Sequence, residues 1–571
     1  MRKLLLLLAV VGCAVITAQA EDSDWKLYFW SDASNAGGDA GTFQTGNTDG
    51  VFVLEGITTT ETGLKFCVHN SAWSVQYGWS TGSEGSVLAT GVDVPLGVTS
   101  SASGWLGLPA GDYDITFNLN DKTIRFDDAV IEAPEYPISD LAEGDYLRGG
   151  DVSMLTYVES MGAKFYTADG VESDPLDIMK DNGVNIVRLR LYNNPGTAVT
   201  YGGNTYKVPA GYLDEADVLR LARRCKAKGL RVELTFHYSD FWTNGMTQFK
   251  PKDWQSLTMA ELKTAVYDYT KQFLQKMRRQ GTTPEYVSLG NEIQNGMLFG
   301  YNSSSGRDAV SGYVASDEAA LLAEGSKAVR EVCPDSKIII HLTMNSNWKT
   351  SRYVSFFTNM KTANLDYDII GASYYPFYTN DKPSTLSAMA NTLYSSFGKD
   401  MMIMEVGYSW TQYRPSGRNG GNYMGQLELN GTPYNEASEA GQKSFMQEVN
   451  AVVKGNDHIL GYLYWDPVMV DQKVNGSWIE TAWAYRQDGS NWWQDGNVVS
   501  NTTWFDYEGK ALPVFEAIKE DAPTGIDGPL PTTTADAEAG GTVVYDLTGR
   551  RVSQPVGGGI YIKEGRKFFV K

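Results

Sequence analysis

The sequence predicts an α/β protein: a (β/α)8 barrel, preceded by an all-β sandwich module and followed by a short β tail. Eight short apolar segments alternate with helical stretches between about residue 144 and residue 518, as in a barrel of parallel strands. Residues 21 to about 130 instead show short strands between turns rich in Gly, Ser and Thr. Two of the barrel segments end in a lone glutamate, at the strand end where barrel enzymes place their chemistry.

Composition limits the class of partner. The chain has 571 residues, enough for two or three domains, and its 42% hydrophobic and 20% charged residues are typical of globular proteins. Its 68 acidic residues outnumber the 48 basic ones, and the net charge of −20 repels phosphate backbones, so we expect no nucleic-acid partner. The 15 Trp and 33 Tyr suit a protein that stacks on sugar rings, although most such residues fill the core.

Residues 1–20 have the pattern of a secretory signal peptide. Arg2 and Lys3 form the positive region, residues 4–11 the apolar region, and Ala18 and Ala20 the small-residue cleavage site. The alternative is a lipoprotein signal that acylates Cys13. We therefore expect an exported protein, secreted or associated with the cell envelope. No later run approaches the ~18 apolar residues of a spanning helix, so we expect no membrane span.

The cysteines indicate neither a disulfide framework nor a zinc site. Of the four in the chain, Cys67, Cys225 and Cys333 remain after signal cleavage. This odd, scattered set lacks the spacing of a structural metal site. We expect Cys225, on a helical face, to be a buried small apolar residue.

Residues 21–132 are expected to fold as the β-sandwich module. Segments 25–30, 63–68 and 112–119 are candidate strands, and the last alternates apolar and polar side chains. Trp73, Trp79 and Trp105 are either a platform for stacking on sugar or part of the module core.

Residues 140–521 are expected to form the barrel and residues 522–571 a linker with a β tail. A helix is predicted over 213–228, where apolar residues share one face and Gly229 ends the pattern. At about 35 residues, the β part of the tail is too short to hold a core alone. The eight predicted barrel strands are 146–151, 184–191, 230–237, 285–291, 337–343, 367–373, 400–406 and 459–465.

Two glutamates are the candidate catalytic residues. Glu292 follows Asn291 just beyond the fourth predicted strand, and Glu405 ends the apolar run of the seventh. Burying an isolated carboxylate costs several kcal/mol unless the group is used or satisfied. A pair of such carboxylates is what glycoside hydrolysis by double displacement requires. Each glutamate alone has the simpler interpretation of a strand-end charge or a helix cap.

Other polar and aromatic residues lie at the same predicted strand ends. They supply hydrogen-bond partners for hydroxyls and flat faces for sugar rings, which suits a neutral polysaccharide. His237 and His341 have the alternative interpretation of satisfied core histidines. The set comprises Asp151, Arg188, Arg190, His237, Asp240, His341, Tyr374, Tyr375, Trp465 and Asp466.

Seven motifs follow one another along the predicted barrel, at 150–155, 165–166, 183–190, 237–242, 290–293, 373–377 and 404–408. In this order they resemble glycoside hydrolase family 53, the endo-β-1,4-galactanases that cleave galactan and arabinogalactan. The resemblance extends from about Tyr146 to Ile518. The N-terminal module resembles, more weakly, the sandwich modules of outer-membrane starch-binding proteins, and the C-terminal tail resembles those of secreted polysaccharide degraders.

The family resemblance implies a retaining mechanism and a role for individual residues. Glu292 corresponds to the acid/base and Glu405 to the nucleophile, while Asn291 is expected to bind the substrate 2-hydroxyl. Arg188 and Tyr374 are expected near the nucleophile, and Trp465 beneath the sugar at the cleavage subsite. His237 and His341 complete the expected substrate-binding set.

No cofactor is required by the family mechanism, although some bacterial members hold calcium in the loop after the residue corresponding to Trp465. No calcium ligands are assigned here, so the metal stays open. Gly150 stands where the family usually has Ala. The expected substrate is β-1,4-galactan or pectic arabinogalactan, and we expect a monomer.

Two other functions remain open at this point. One is another retaining β-glycanase with the same barrel, such as a mannanase or a cellulase. The other is a surface protein that binds glycan without cutting it. The segments 237–242 and 405–408 favour a galactanase over the first, and the presence of two glutamates speaks against the second.

Overall fold

The structure is a computed structural model of the whole chain. The residues that it describes are 25–31, 36–45, 50–59, 64–70, 72–79, 91–99, 111–128, 136, 138, 140–142, 144–201, 204–299, 301–302, 307–308, 314–413, 437–479, 481, 485–486, 497, 499–520, 544–546, 551–552, 559–563 and 566–570. The signal peptide with Cys13, the Pro-containing segment at 133–135, Trp105 and the linker at 529–539 lie outside these residues.

The N-terminal module is an antiparallel sheet of nine strands in the order β2-β1-β5-β6-β7-β9-β8-β4-β3. Trp25 on β1 lies 5.3 Å from Phe117 on β8, ring centre to ring centre, although these strands are far apart in the sheet order. The sheet therefore folds over one shared core, as the predicted sandwich requires. The strands are β1 (Trp25–Ser31), β2 (Ala36–Thr42), β3 (Gln44–Thr45), β4 (Val51–Thr59), β5 (Leu64–Asn70), β6 (Gln76–Trp79), β7 (Val94–Val98), β8 (Gly111–Asn118) and β9 (Thr123–Asp128).

The eight predicted barrel strands form a closed parallel barrel, which confirms the predicted fold. Their order around the barrel follows their order in the sequence. Six of the eight observed strands are one or two residues shorter at an end than predicted. They are β10 (Leu147–Asp151), β11 (Ile186–Leu191), β14 (Arg231–Phe236), β15 (Tyr286–Leu289), β18 (Lys337–Thr343), β19 (Ile369–Tyr374), β20 (Asp400–Val406) and β21 (Ile459–Tyr464).

Ten α-helices and several short strands accompany the barrel strands in the part of the chain that the structure describes. The helices are α1 (Leu155–Ser160), α2 (Pro175–Asp181), α3 (Glu215–Ala227), α4 (Met259–Arg279), α5 (Ala315–Val332), α6 (Thr350–Thr362), α7 (Pro376–Thr379), α8 (Thr385–Phe397), α9 (Glu439–Lys454) and α10 (Val514–Glu520). The loop strands are β12 (Val199–Tyr201), β13 (Asn204–Lys207), β16 (Tyr301–Asn302), β17 (Arg307–Asp308), β22 (Lys473–Val474), β23 (Ser477–Trp478) and β24 (Tyr485–Arg486).

Local sequence signals account for the helix ends. The predicted helix 213–228 is α3, which begins after Asp214, whose carboxylate accepts from the Asp217 amide at 2.9 Å. Gly229 follows it with φ +70°, a conformation that glycine adopts without steric cost. Helix α4 begins with a capping box in which Thr258 and Glu261 satisfy each other's backbone amides.

A glycine on β21 allows the last barrel strand to pair with the first. Gly461 on β21 has φ +150°, and a Cβ atom there would lie 2.1 Å from the Leu147 carbonyl oxygen of β10. Only a residue without a side chain allows these two strands to pair at that point.

The described part of the tail contains four strands in the antiparallel order β26-β25-β27-β28. They are β25 (Val544–Asp546), β26 (Arg551–Val552), β27 (Gly559–Lys563) and β28 (Arg566–Val570). Residues 520–571 group with 141–145 as a compact unit of their own. Across the described residues, no helix is both long and apolar enough to span a membrane. Cys67, Cys225 and Cys333 are buried free thiols.

Candidate active site

The carboxyl ends of the barrel strands bring the two candidate glutamates together. Glu292 follows β15, and Glu405 lies near the end of β20. A carboxylate oxygen of each and a ring nitrogen of His341 all lie within 4.8 Å of one another. Carboxyl groups of retaining glycosidases are about 5–5.5 Å apart, against about 6.5–9.5 Å in inverting enzymes, so this separation favours the retaining geometry.

Glu292 lies on strained backbone in a half-buried position. Its φ is +51°, which a residue with a side chain rarely adopts and which is common at functional sites. Burial raises the pKa of Glu292 to about 7, and the negative charge of Glu405 adds to this effect against the hydroxyls of Ser373 and Thr343. A carboxyl of this kind is protonated near neutral pH and can donate its proton.

Glu405 is held by two hydrogen-bond donors. Arg188 Nη1 donates to Oε1 at 2.8 Å, and the Tyr375 hydroxyl donates to Oε2 at 3.0 Å. Both carboxylate oxygens of Glu405 are therefore fixed in position. A fixed carboxylate suits the attacking group of a double displacement.

The expectation that Tyr374 lies beside Glu405 needs correction. The Tyr374 hydroxyl donates to the Asp381 carbonyl at 2.6 Å, and its ring stacks on Phe445 of α9. Side chains alternate between the two faces of a strand, so Ser373 and Tyr375 face the barrel end while Tyr374 faces the helices. This period of two, applied to β19, would have identified Tyr375 from the sequence.

Arg188 connects Glu405 to Asn291. Its Nη2 donates to Asn291 Oδ1 at 2.5 Å, and Asn291 Nδ2 donates to the Thr243 carbonyl at 2.7 Å. These bonds fix the orientation of the Asn291 amide. Arg188 itself is fully buried, so it acts through Glu405 and Asn291 rather than as an exposed contact.

Both predicted histidines are buried and neutral, and each keeps a ring nitrogen without a protein hydrogen bond in the described structure. His237 Nδ1 bonds to Thr243, leaving Nε2, and His341 Nε2 bonds to the Ser373 hydroxyl at 2.8 Å, leaving Nδ1. Burial lowers the pKa of both well below the ordinary value, helped by the charge of Arg188. Both of these nitrogens are enclosed by protein, and contact of either ring with a sugar hydroxyl stays a prediction.

Trp465 lies over a pair of arginines at the end of β21. The Arg190 guanidinium carbon is 4.5 Å from the indole centre, and that of Arg188 is 5.6 Å away. Arg190 is clamped by Asp151 at 3.0 Å and by Asp466 at 2.5 Å. These ion pairs fix the guanidinium group that packs on the indole. The role of Trp465 beneath the sugar stays a prediction.

Asp466 and Asp471, the first two carboxylates after Trp465, have protein partners. Asp466 binds Arg190, and Asp471 Oδ1 accepts from the Thr481 hydroxyl at 2.7 Å. Residues 482–484 and 487–496 of this loop lie outside the described residues. The described carboxylate oxygens of this loop therefore do not define a calcium site, and calcium stays a prediction.

Paired strand-end carboxylates, buried donors and an aromatic platform define a class: a (β/α)8-barrel glycoside hydrolase with retaining geometry. The comparison with protein families is specific. Residues 147–518 match the description "Glycosyl hydrolase family 53", and the chain belongs to that family.

Similar proteins cover the same region. An endo-β-1,4-galactanase of Bacillus subtilis (strain 168) is 31% identical over 396 residues, covering 66% of this chain and 86% of the relative. A probable arabinogalactan endo-β-1,4-galactanase A of Neosartorya fischeri is 32% identical over 341 residues, covering 58% and 86%. The GH53 catalytic domain of Ignisphaera aggregans, a solved structure, is 30% identical with a TM-score of 0.55, and the match covers 68% of this chain and 99% of that one.

Proposed function

We propose that the protein is an endo-β-1,4-galactanase that hydrolyses galactan, including the galactan of type I arabinogalactan, with retention of configuration. The observation that carries the mechanism is the glutamate pair, with one carboxylate oxygen of each within 4.8 Å and with contrasting surroundings. Membership of family 53 and the names of the galactanase relatives supply the substrate class. No such observation favours mannan, cellulose or binding without cleavage.

In the first step, a carboxylate oxygen of Glu405 attacks the anomeric carbon of the sugar at the cleavage subsite. The bond from that carbon to the glycosidic oxygen breaks, and Glu292 donates its proton to this oxygen. The shortened galactan chain leaves, and the remaining sugar is bound covalently to Glu405. Arg188 and Tyr375 hold the attacking carboxylate in place.

In the second step, Glu292 acts as a base. In the covalent intermediate Glu405 is an ester and has no negative charge. The repulsion that raised the pKa of Glu292 is therefore absent, and this pKa falls. Glu292 accepts a proton from water, whose oxygen attacks the anomeric carbon and releases Glu405 as a carboxylate. Two inversions give net retention.

Azide rescue tests the two roles separately. With an activated aryl β-galactobioside, Glu292→Ala still forms the covalent intermediate, and azide should convert it into the β-galactosyl azide. Glu405→Ala lacks the nucleophile, so azide should attack from the opposite face and give the α product. Anomers reversed between the two variants would exchange the roles, and no azide product from either would contradict the mechanism.

Export, the monomeric state and the domain boundaries at 132, 140 and 521 stay predictions. Mass spectrometry of the mature N-terminus would separate cleavage after Ala20 from acylation at Cys13.

A further inference from the structure

A third buried glutamate lies behind Arg188, outside the catalytic pair. Glu233 on β14 is fully buried. Its two carboxylate oxygens lie 3.0 and 2.9 Å from the Thr235 hydroxyl, which donates to them. The same hydroxyl oxygen accepts from Arg188 Nε at 3.0 Å. Burying a carboxylate costs several kcal/mol of folding free energy unless other groups satisfy or use it. The position of Glu233 beside Arg188 therefore needs an explanation.

The strand register places Glu233 behind the guanidinium. Residue 188 of β11 pairs with residue 233 of β14, and Arg188 Nε lies 3.5 Å from Glu233 Oε2. Asp151 is also near, at 3.7 Å, but it forms a closer ion pair with Arg190 at 3.0 Å. Glu233 and Thr235 therefore hold the Nε side of Arg188.

The other side of the same guanidinium holds the catalytic groups. Nη1 donates to Glu405 and Nη2 donates to Asn291. A guanidinium is planar and rigid, so fixing Nε fixes the directions of both Nη groups. The position of one buried carboxylate is thereby transmitted to the nucleophile and to the amide beside it.

We propose that Glu233 is a positioning residue: through the Thr235 hydroxyl it fixes the plane of Arg188, and Arg188 aims Glu405 at the anomeric carbon. The inference rests on the mechanism proposed above. Burial raises the pKa of Glu233 to about 7, against the charge of Arg188. A carboxyl that changes protonation near neutral pH still keeps an oxygen for the Thr235 hydroxyl in either form.

Thr235→Val tests the connection, because it removes the hydroxyl and keeps the shape. We expect kcat on galactan to fall about 10- to 100-fold with KM within about twofold, since a lost hydrogen bond displaces a group that acts in the transition state. Thr282→Val is the matched control: Thr282 is also fully buried, and its hydroxyl donates to the Met277 carbonyl at 3.2 Å, ahead of β15. Its kcat should stay within about twofold even where its melting temperature falls.

Two substitutions of Glu233 give a graded result. Glu233→Gln keeps an oxygen that accepts from Thr235, and we expect it to retain within about fivefold of the original kcat. Glu233→Leu removes both oxygens and should lose at least as much as Thr235→Val. A role in folding alone would instead show both variants at full kcat per folded molecule, whatever their melting temperatures.

Covalent labelling reads the nucleophile directly. An activated 2-deoxy-2-fluoro-β-galactoside should label Glu405, and mass spectrometry gives the labelling rate. That rate should fall in Thr235→Val and Glu233→Leu by about the same factor as kcat. Unchanged labelling in both variants would overturn this inference alone. Failure of the unchanged protein to be labelled at Glu405 would instead overturn the proposed mechanism, and this inference with it.

Discussion

At the scale of single residues, the proposed mechanism depends on different surroundings for two chemically identical carboxyl groups. The pKa of Glu292 is raised to about 7 by burial and by the charge of Glu405, whereas Glu405 accepts hydrogen bonds from the Arg188 guanidinium and the Tyr375 hydroxyl. Glu292 therefore keeps its proton to a much higher pH than an exposed glutamate does, and Glu405 is fixed in position.

The hydroxyl of Tyr375 is predicted to contribute to the rate. Tyr375→Phe removes a donor to Glu405 and should lower kcat on galactan about 10- to 100-fold, because that hydrogen bond aligns the attacking oxygen. Tyr374→Phe removes the same atom one residue earlier, where the hydroxyl bonds to Asp381, and should leave kcat within about twofold. Steady-state kinetics of the two variants decide the matter, and equal effects would contradict the assignment of Tyr375.

The second prediction concerns pH. Burial raises the pKa of Glu292 to about 7, so kcat/KM should fall as the pH rises through this value and the general acid loses its proton. Glu405→Gln removes the neighbouring negative charge and should lower the pKa of Glu292. A ¹³C titration of labelled glutamate, with Glu292→Gln to assign the signal, measures both values. Titration near the ordinary value of about 4.3 in both proteins would refute this description.

Sequence reasoning located residues whose position depends only on strand ends. Glu292, Glu405 and Arg188 were found because a polar residue that interrupts or ends an apolar strand stands out. The position beside Glu405 was given to Tyr374 because that assignment came from the family resemblance and not from the alternation of side chains along β19. Glu233 was missed because a charge within a predicted strand gives no sign of which side chain it will meet across the barrel.

At the scale of elements, closure of the barrel depends on the close approach of β21 to β10. Gly461→Ala places a Cβ against the Leu147 carbonyl and should reduce the free energy of unfolding by about 3 kcal/mol. Gly170→Ala is the control, since Gly170 also has a positive φ, +83°, but has open space around it; its loss should be about 1 kcal/mol. Urea denaturation compares them, and equal losses would show that closure of β10 on β21 tolerates a side chain.

Among the described residues of the N-terminal module, Trp73 is the tryptophan that is exposed. Trp73 is 43% exposed and its ring stacks on His69 with centres 3.6 Å apart, whereas Trp79 packs partly buried against the module core. The sequence could not distinguish these two residues, because exposure depends on how the sheet folds over its core. We predict that Trp73 is the sugar-stacking residue of the module.

Binding to insoluble galactan tests this prediction. Trp73→Ala should weaken retention on the polymer about fivefold or more and leave kcat on short galacto-oligosaccharides unchanged. Val98→Ala, which truncates an apolar side chain 75% exposed on the same module, should change neither. Equal retention of both variants would remove Trp73 from polymer binding.

At the scale of the whole molecule, the protein combines a family 53 barrel with two β units at its ends. The eight barrel strands were predicted well because each is an apolar run that is separated from the next by a helical segment. Eight parallel strands that alternate with helices commonly close into a barrel. The long loops after the strands have no regular apolar periodicity, so their conformations could not be predicted from the sequence.

Retaining hydrolysis of β-1,4-galactan by Glu292 and Glu405 determines which anomer is released first. The most direct measurement follows the anomeric protons by ¹H NMR while the protein cleaves unbranched β-1,4-galactan. We predict that β reducing ends of short galacto-oligosaccharides appear first and then mutarotate, and that Glu405→Gln releases none. Initial release of α reducing ends, or undiminished cleavage by Glu405→Gln, would contradict the account.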